Sequence, residues 1–72
     1  MDQEQKEDRA MTRVRKVFAK SGLSLHDLGL KMGYSEAVAR KAAWQFMRTH
    51  DPRIGMLRRF AKSMGMAVKD LL

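Results

Sequence analysis

The chain has 72 residues, no cysteine and a formal net charge of +7. This length predicts one domain, close to the lower size at which a hydrophobic core folds without cross-links. The absence of cysteine excludes a disulfide framework and a thiolate metal site. No apolar run approaches the ~20 residues that span a bilayer, and the acidic start is unlike a signal peptide. We therefore expect a soluble, cytoplasmic protein with no membrane contact.

The charge is unevenly distributed along the chain. Residues 1–8 contain four acids and one lysine, a net charge of −3, and the remainder contains 14 basic and 4 acidic residues, a net charge of +10. A domain this basic attracts polyanions, of which nucleic acid is the commonest inside a cell. The alternative is a well-solvated surface, although such surfaces usually mix the two signs more evenly. We expect residues 1–8 to form a frayed acidic tail or to extend the first helix, and residues 9–72 to form a nucleic-acid-binding domain.

The first half of the chain predicts two helices. Apolar residues at helical spacing predict the first from about Glu7 to Lys20, and Gly22 would end it because glycine readily adopts a left-handed conformation. Ser24 predicts the cap of a second, shorter helix. The inner stripe of that helix contains Gly29, where the missing side chain would allow the next helix to approach closely.

Residues 35–48 predict a third helix, which follows a turn at Gly33 and has two distinct faces. The inner stripe consists mostly of small side chains, namely Val38, Ala39, Ala42, Ala43 and Phe46. The opposite face carries cations and an aromatic ring, with the members Glu36, Ala37, Arg40, Lys41, Trp44 and Arg48. A short helix, a glycine-containing turn and an amphipathic helix form the layout of a helix-turn-helix motif.

The last third of the chain predicts a fourth helix and a short apolar turn. Asp51 is a candidate cap, and Pro52 would occupy the first turn, where its missing N–H costs no hydrogen bond. Gly65 would end the helix, and residues 68–72 would form the terminal turn. The predicted fold class is all-α, a compact bundle of four to five short helices in which helices 2 and 3 form the helix-turn-helix motif.

The order and spacing of several features resemble the lambda-repressor-like helix-turn-helix family, also called the xenobiotic-response-element type. The features are Leu23-Ser24, Gly29, Met32-Gly33, Ser35, Asp51-Pro52, Leu57-x-x-Phe60-Ala61-Lys62-x-Met64-Gly65 and Leu71-Leu72. Members of this family commonly bind operators as homodimers and act as repressors. The resemblance implies a transcriptional regulator, bacterial or phage, that binds double-stranded DNA at a near-palindromic operator and is on the nucleoid when bound.

The resemblance also implies which residues would meet DNA. Those expected to face the major groove are Ser35, Glu36, Ala37, Arg40, Lys41 and Trp44. Those expected near phosphates are Tyr34, Arg48 and His50. Charge alone makes further residues candidates for phosphate neutralisation, namely Arg13, Arg15, Lys31, Arg53, Arg58, Arg59 and Lys62.

The chemistry of the third helix leaves alternatives open at single positions. Arg40 has a planar donor fork that suits guanine, or it contacts phosphate or solvent. Lys41 suits a phosphate better than a base. Glu36 either accepts from a cytosine amino group or simply favours the positive start of the helix. Trp44 either points outward, against sugar or a thymine methyl, or packs beneath the loop to the fourth helix.

A second copy of the chain is an expected partner, since a small bundle often leaves an apolar patch. The patch expected here consists of Met66, Val68, Leu71 and Leu72. We expect no catalytic residue, metal or cofactor, because the two histidines lie on different elements and no phosphate-binding glycine loop occurs. The alternative function is a protein-interaction module, such as an antitoxin that sequesters a toxin and also binds DNA. A basic bundle on an anionic membrane is disfavoured by the helix caps and the separate apolar face.

Overall fold

The computed structural model describes the backbone of residues 2–72 and the side chains from residue 9 onward. The α-helices are α1 (Asp2–Ser21), α2 (Leu25–Lys31), α3 (Glu36–Arg48) and α4 (Ile54–Ser63), and a 3-10 helix follows at Val68–Leu71. No strand occurs in residues 2–72, so the predicted all-α class is confirmed. α1 begins at Asp2, ahead of the start predicted at about Glu7, and the side chains of the acidic residues 1–8 lie outside the described part of the chain.

Glycine ends three of the helices, as predicted. Gly22, Gly33 and Gly65 have φ values of 73°, 99° and 70°. Residues that have a Cβ atom rarely adopt this left-handed conformation. The predicted cap of α2 is confirmed as well, because the Ser24 hydroxyl accepts a hydrogen bond of 3.0 Å from the backbone N–H of Asp27. Local sequence signals therefore set these boundaries.

The predicted start of α4 is wrong. The helix begins at Ile54 with Arg53 as its N-cap residue, and the Arg53 carbonyl accepts the first backbone hydrogen bonds of the helix. Asp51 and Pro52 instead belong to the connection from α3. Pro52 is half-buried and lines a cleft with Phe46. Asp51 and Pro52 therefore border this cleft instead of forming the first turn of α4.

The hydrophobic core lies between all the helices. Met11 and Val14 of α1 and Leu28 of α2 are fully buried, as is Phe60 of α4. The rings of Phe60 and Phe46 lie 5.8 Å apart between centroids, at an interplanar angle of 39°, an arrangement that adds to the energy of simple burial. No polar or charged residue from residue 9 onward is buried, so apolar packing holds the bundle together.

α2 and α3 pack backbone to backbone at one position. A Cβ atom placed on Gly29 would overlap the backbone of Ala39, so the close approach expected from the glycine is confirmed. Ala39 and Ala43 are fully buried in the same stripe. The inclusion of Val38 in that stripe is wrong, because its side chain is 47% exposed. It lies about 100° around the helix from Ala39.

Candidate nucleic-acid interface

The face of α3 opposite Gly29 is open to solvent. Ala37, Arg40, Lys41 and Trp44 are all exposed, and together they line a shallow open depression of about 430 Å³. The four residues follow the i, i+3, i+4, i+7 spacing of one helix face. The structure therefore brings together four of the six residues that the sequence assigned to the major groove.

Trp44 points outward, which decides between the two alternatives left by the sequence. Its side chain is 47% exposed, and the guanidinium of Arg48 lies over the indole ring, 4.5 Å from the centroid. A cation at this distance is attracted by the negative face of the ring. The exposed face of α3 thus presents an aromatic ring with a guanidinium stacked on it.

Ser35 and Glu36, the other two predicted groove residues, lie at the start of α3. Ser35 is the N-cap residue, and its hydroxyl makes no capping hydrogen bond. The side chain of Glu36 is 81% exposed, and its Oε1 lies 3.8 Å from Nε2 of His26 on α2. This contact is an ion pair only when His26 is protonated, and at an exposed site it contributes little stability.

The residues predicted near phosphates occupy different environments. Tyr34 is half-buried, its hydroxyl donates to the Met56 sulfur at 3.5 Å, and the Arg59 guanidinium lies 5.5 Å from its ring centroid. Arg53 and His50 are exposed in the connection between α3 and α4. The structure places Arg53 and Tyr34 in the lining of one cleft, whereas Arg48 lies against Trp44.

Arg15 has a role that its charge did not reveal. Its Nε donates to the carbonyl of Met47 at 3.1 Å, and its Nη2 donates to the carbonyl of Thr49 at 3.5 Å. The last carbonyls of a helix lack intrahelical partners and carry the negative end of the helix dipole. A half-buried arginine of α1 therefore fixes the end of α3. Arg13 likewise donates to a backbone carbonyl, that of Leu72, at 2.9 Å.

The apolar patch predicted for a second copy is mostly part of the core. Leu71 is fully buried, so its inclusion in an exposed patch is wrong. Met66 and Val68 are partly buried and pack against the core, and Leu72 is 62% exposed. The 3-10 helix turns Leu71 inward between α1 and α4, a placement that depends on tertiary packing.

The charged side chains of α3 are mostly positive. Its sequence contains three cations, Arg40, Lys41 and Arg48, and one acid, Glu36. All four side chains are exposed. The acid lies at the first residue of the helix, where it complements the positive end of the dipole, and the cations follow along the remaining length. The face beyond the first turn of α3 therefore carries positive charge only.

Comparison of the chain with family models, curated proteins and solved structures finds no match. Within residues 2–72, none of the helices combines the length and the apolar character needed to cross a bilayer. The side chains from residue 9 onward form no cluster of three or more potential metal ligands.

Proposed function

We propose that this chain is a sequence-specific regulator that binds double-stranded DNA through the outer face of α3. One observation carries the proposal: Ala37, Arg40, Lys41 and Trp44 are exposed together, while the opposite face of the helix is closed against α2. A B-form major groove is about 12 Å wide and admits one α-helix. The positive charge of the exposed face favours the approach of a polyanion.

Each exposed residue of α3 has a role that follows from its chemistry. Arg40 presents a planar fork of donors, which matches the two acceptors of guanine in the major groove. Lys41 carries a compact charge that suits a backbone phosphate. Ala37 is small and allows the groove floor to approach the helix. Ser35 and Glu36 lie at the helix start, where recognition helices commonly contact base edges.

The regulator acts in this proposal as a homodimer on a near-palindromic operator. Two copies of α3 would enter successive major grooves about 34 Å apart. Of the apolar patch predicted for a second copy, Leu72 is exposed and Met66 and Val68 are partly buried. Bound over a promoter, such a dimer represses transcription by excluding polymerase.

Selection from a pool of random duplexes, followed by sequencing, tests this proposal. We expect recovery of one motif with two-fold symmetry. Arg40→Ala should relax the preference at one base pair in each half-site, at a cost of about 1–3 kcal/mol. Lys41→Ala should weaken binding to all sequences alike, and should reduce the slope of log affinity against log salt by about 1. Binding can be followed by the fluorescence anisotropy of a dye attached to the end of the duplex, which serves every variant alike.

Lys69→Ala is the matched control for these variants. It also removes one exposed positive charge, but from the 3-10 helix rather than from α3. If Lys69→Ala weakened binding as much as Lys41→Ala, the attraction would depend on net charge rather than on this face. If Arg40→Ala left both affinity and base preference unchanged, Arg40 would not read a base. Recovery of no motif at all would refute sequence-specific binding.

A further inference from the structure

The depression on α3 combines two kinds of surface within one helix face. The Ala37 methyl group and the Trp44 indole supply apolar surface, and Arg40 and Lys41 supply donors between them along the helix. Trp44 follows Arg40 by four residues and Ala37 by seven, so each pair lies on one side of the helix. Because Arg40 is assigned to a guanine and Lys41 to a phosphate, the ligand has only to supply a small apolar group against Ala37 and Trp44.

Among the bases of B-form DNA, thymine fits that requirement in the major groove. It presents a 5-methyl group beside the O4 acceptor, whereas guanine, adenine and cytosine carry no methyl group there. We infer that the depression on α3 reads the 5-methyl group of a thymine, with Trp44 as the residue that determines this specificity. The inference rests on the proposed function, since it names a base read by the same face.

The surroundings of Trp44 support this role over that of an incidental surface residue. The guanidinium of Arg48 lies 4.5 Å from the ring centroid, which restricts the ring and lowers the entropy lost when a ligand contacts it. Val38 provides a comparison on the same helix. Its side chain is also 47% exposed, but it does not line the depression.

Replacement of thymine by 2′-deoxyuridine tests the inference directly. Uracil keeps the hydrogen-bonding edge of thymine and lacks only the methyl group. The probe is one duplex recovered by the selection described above, synthesised with deoxyuridine at each thymine in turn. We expect affinity to fall about 4-fold at one position in each half-site, the factor that corresponds to one methyl-sized group removed from an apolar contact.

Two variants assign the effect to a residue. Trp44→Ala should bind the thymine and uracil duplexes equally, and Val38→Ala should keep the 4-fold ratio; far-ultraviolet circular dichroism checks that both retain their helices. Equal binding of the two duplexes by the unmodified protein would overturn the inference and leave the proposed function standing. A ratio that persists in Trp44→Ala would also overturn it, because another residue would then read the methyl group. Failure to recover any duplex would refute both.

Discussion

Substitution of Gly29 by alanine tests the packing that holds α3 in place. In most exposed helices this change is stabilising, because alanine has the higher helix propensity. Here the new Cβ atom would overlap the carbonyl oxygen, carbonyl carbon and Cα of Ala39. These are backbone atoms in the first third of α3, so no side chain can rotate away to make room. α2 and α3 must separate to accommodate one methyl group.

The expected cost follows from two opposing terms. Overpacking a well-filled contact costs about 1–3 kcal/mol, and the upper end applies because the obstacle is backbone. The gain in helix propensity offsets about 1 kcal/mol of this. Gly29→Ala should therefore lower the free energy of unfolding by about 2 kcal/mol. In a domain of this size, that loss lowers the melting temperature by roughly 8–16 °C.

Urea and thermal unfolding, followed by far-ultraviolet circular dichroism, measure the effect. Gly55→Ala is the matched control, since Gly55 is also helical and the space around its position is open. It should leave stability unchanged or raise it by about 0.5 kcal/mol. If Gly29→Ala were as stable as Gly55→Ala, the two helices would not be in backbone contact, and the placement of the α3 face would lose its structural basis.

Two further predictions concern the N-caps of α2 and α3 and the C-terminal end of α3. Ser24→Ala removes the capping hydrogen bond of α2 and should lower the free energy of unfolding by about 1 kcal/mol, measured by thermal unfolding. Ser35→Ala should lower it by only a few tenths of a kcal/mol, because the Ser35 hydroxyl makes no capping hydrogen bond. Equal losses in the two variants would contradict the assignment of Ser24 as the cap of α2. Arg15→Met keeps the apolar stem but removes the hydrogen bonds to the carbonyls of Met47 and of the C-cap residue Thr49 at the end of α3, and should lower stability to urea by about 1 kcal/mol. The exposed Lys16→Met on the same helix should change it by less than about 0.5 kcal/mol, and a similar loss in both would show that Arg15 does not fix α3.

Local signals in the sequence determined the fold class and most helix boundaries of this protein. Apolar periodicity predicts the helices, because a helix must bury one stripe. Gly22, Gly33 and Gly65 mark the exits, since a left-handed residue is needed there. Gly29 in the inner stripe of α2 predicts close packing of α2 against α3, because the absence of a side chain allows the two backbones to approach. The cations of α3 likewise predict a charged surface, which the exposed side chains confirm.

Tertiary structure alone decided which side chains are covered and by what. Periodicity fixes the angle of a residue around its helix but not the width of the face that its neighbours bury. For that reason Val38 is exposed, Trp44 points outward and Leu71 is buried. Arg15 became a contact to the end of α3 only because the bundle places α1 beside it. Such contacts join residues far apart in the chain, and no local pattern encodes the distance between them.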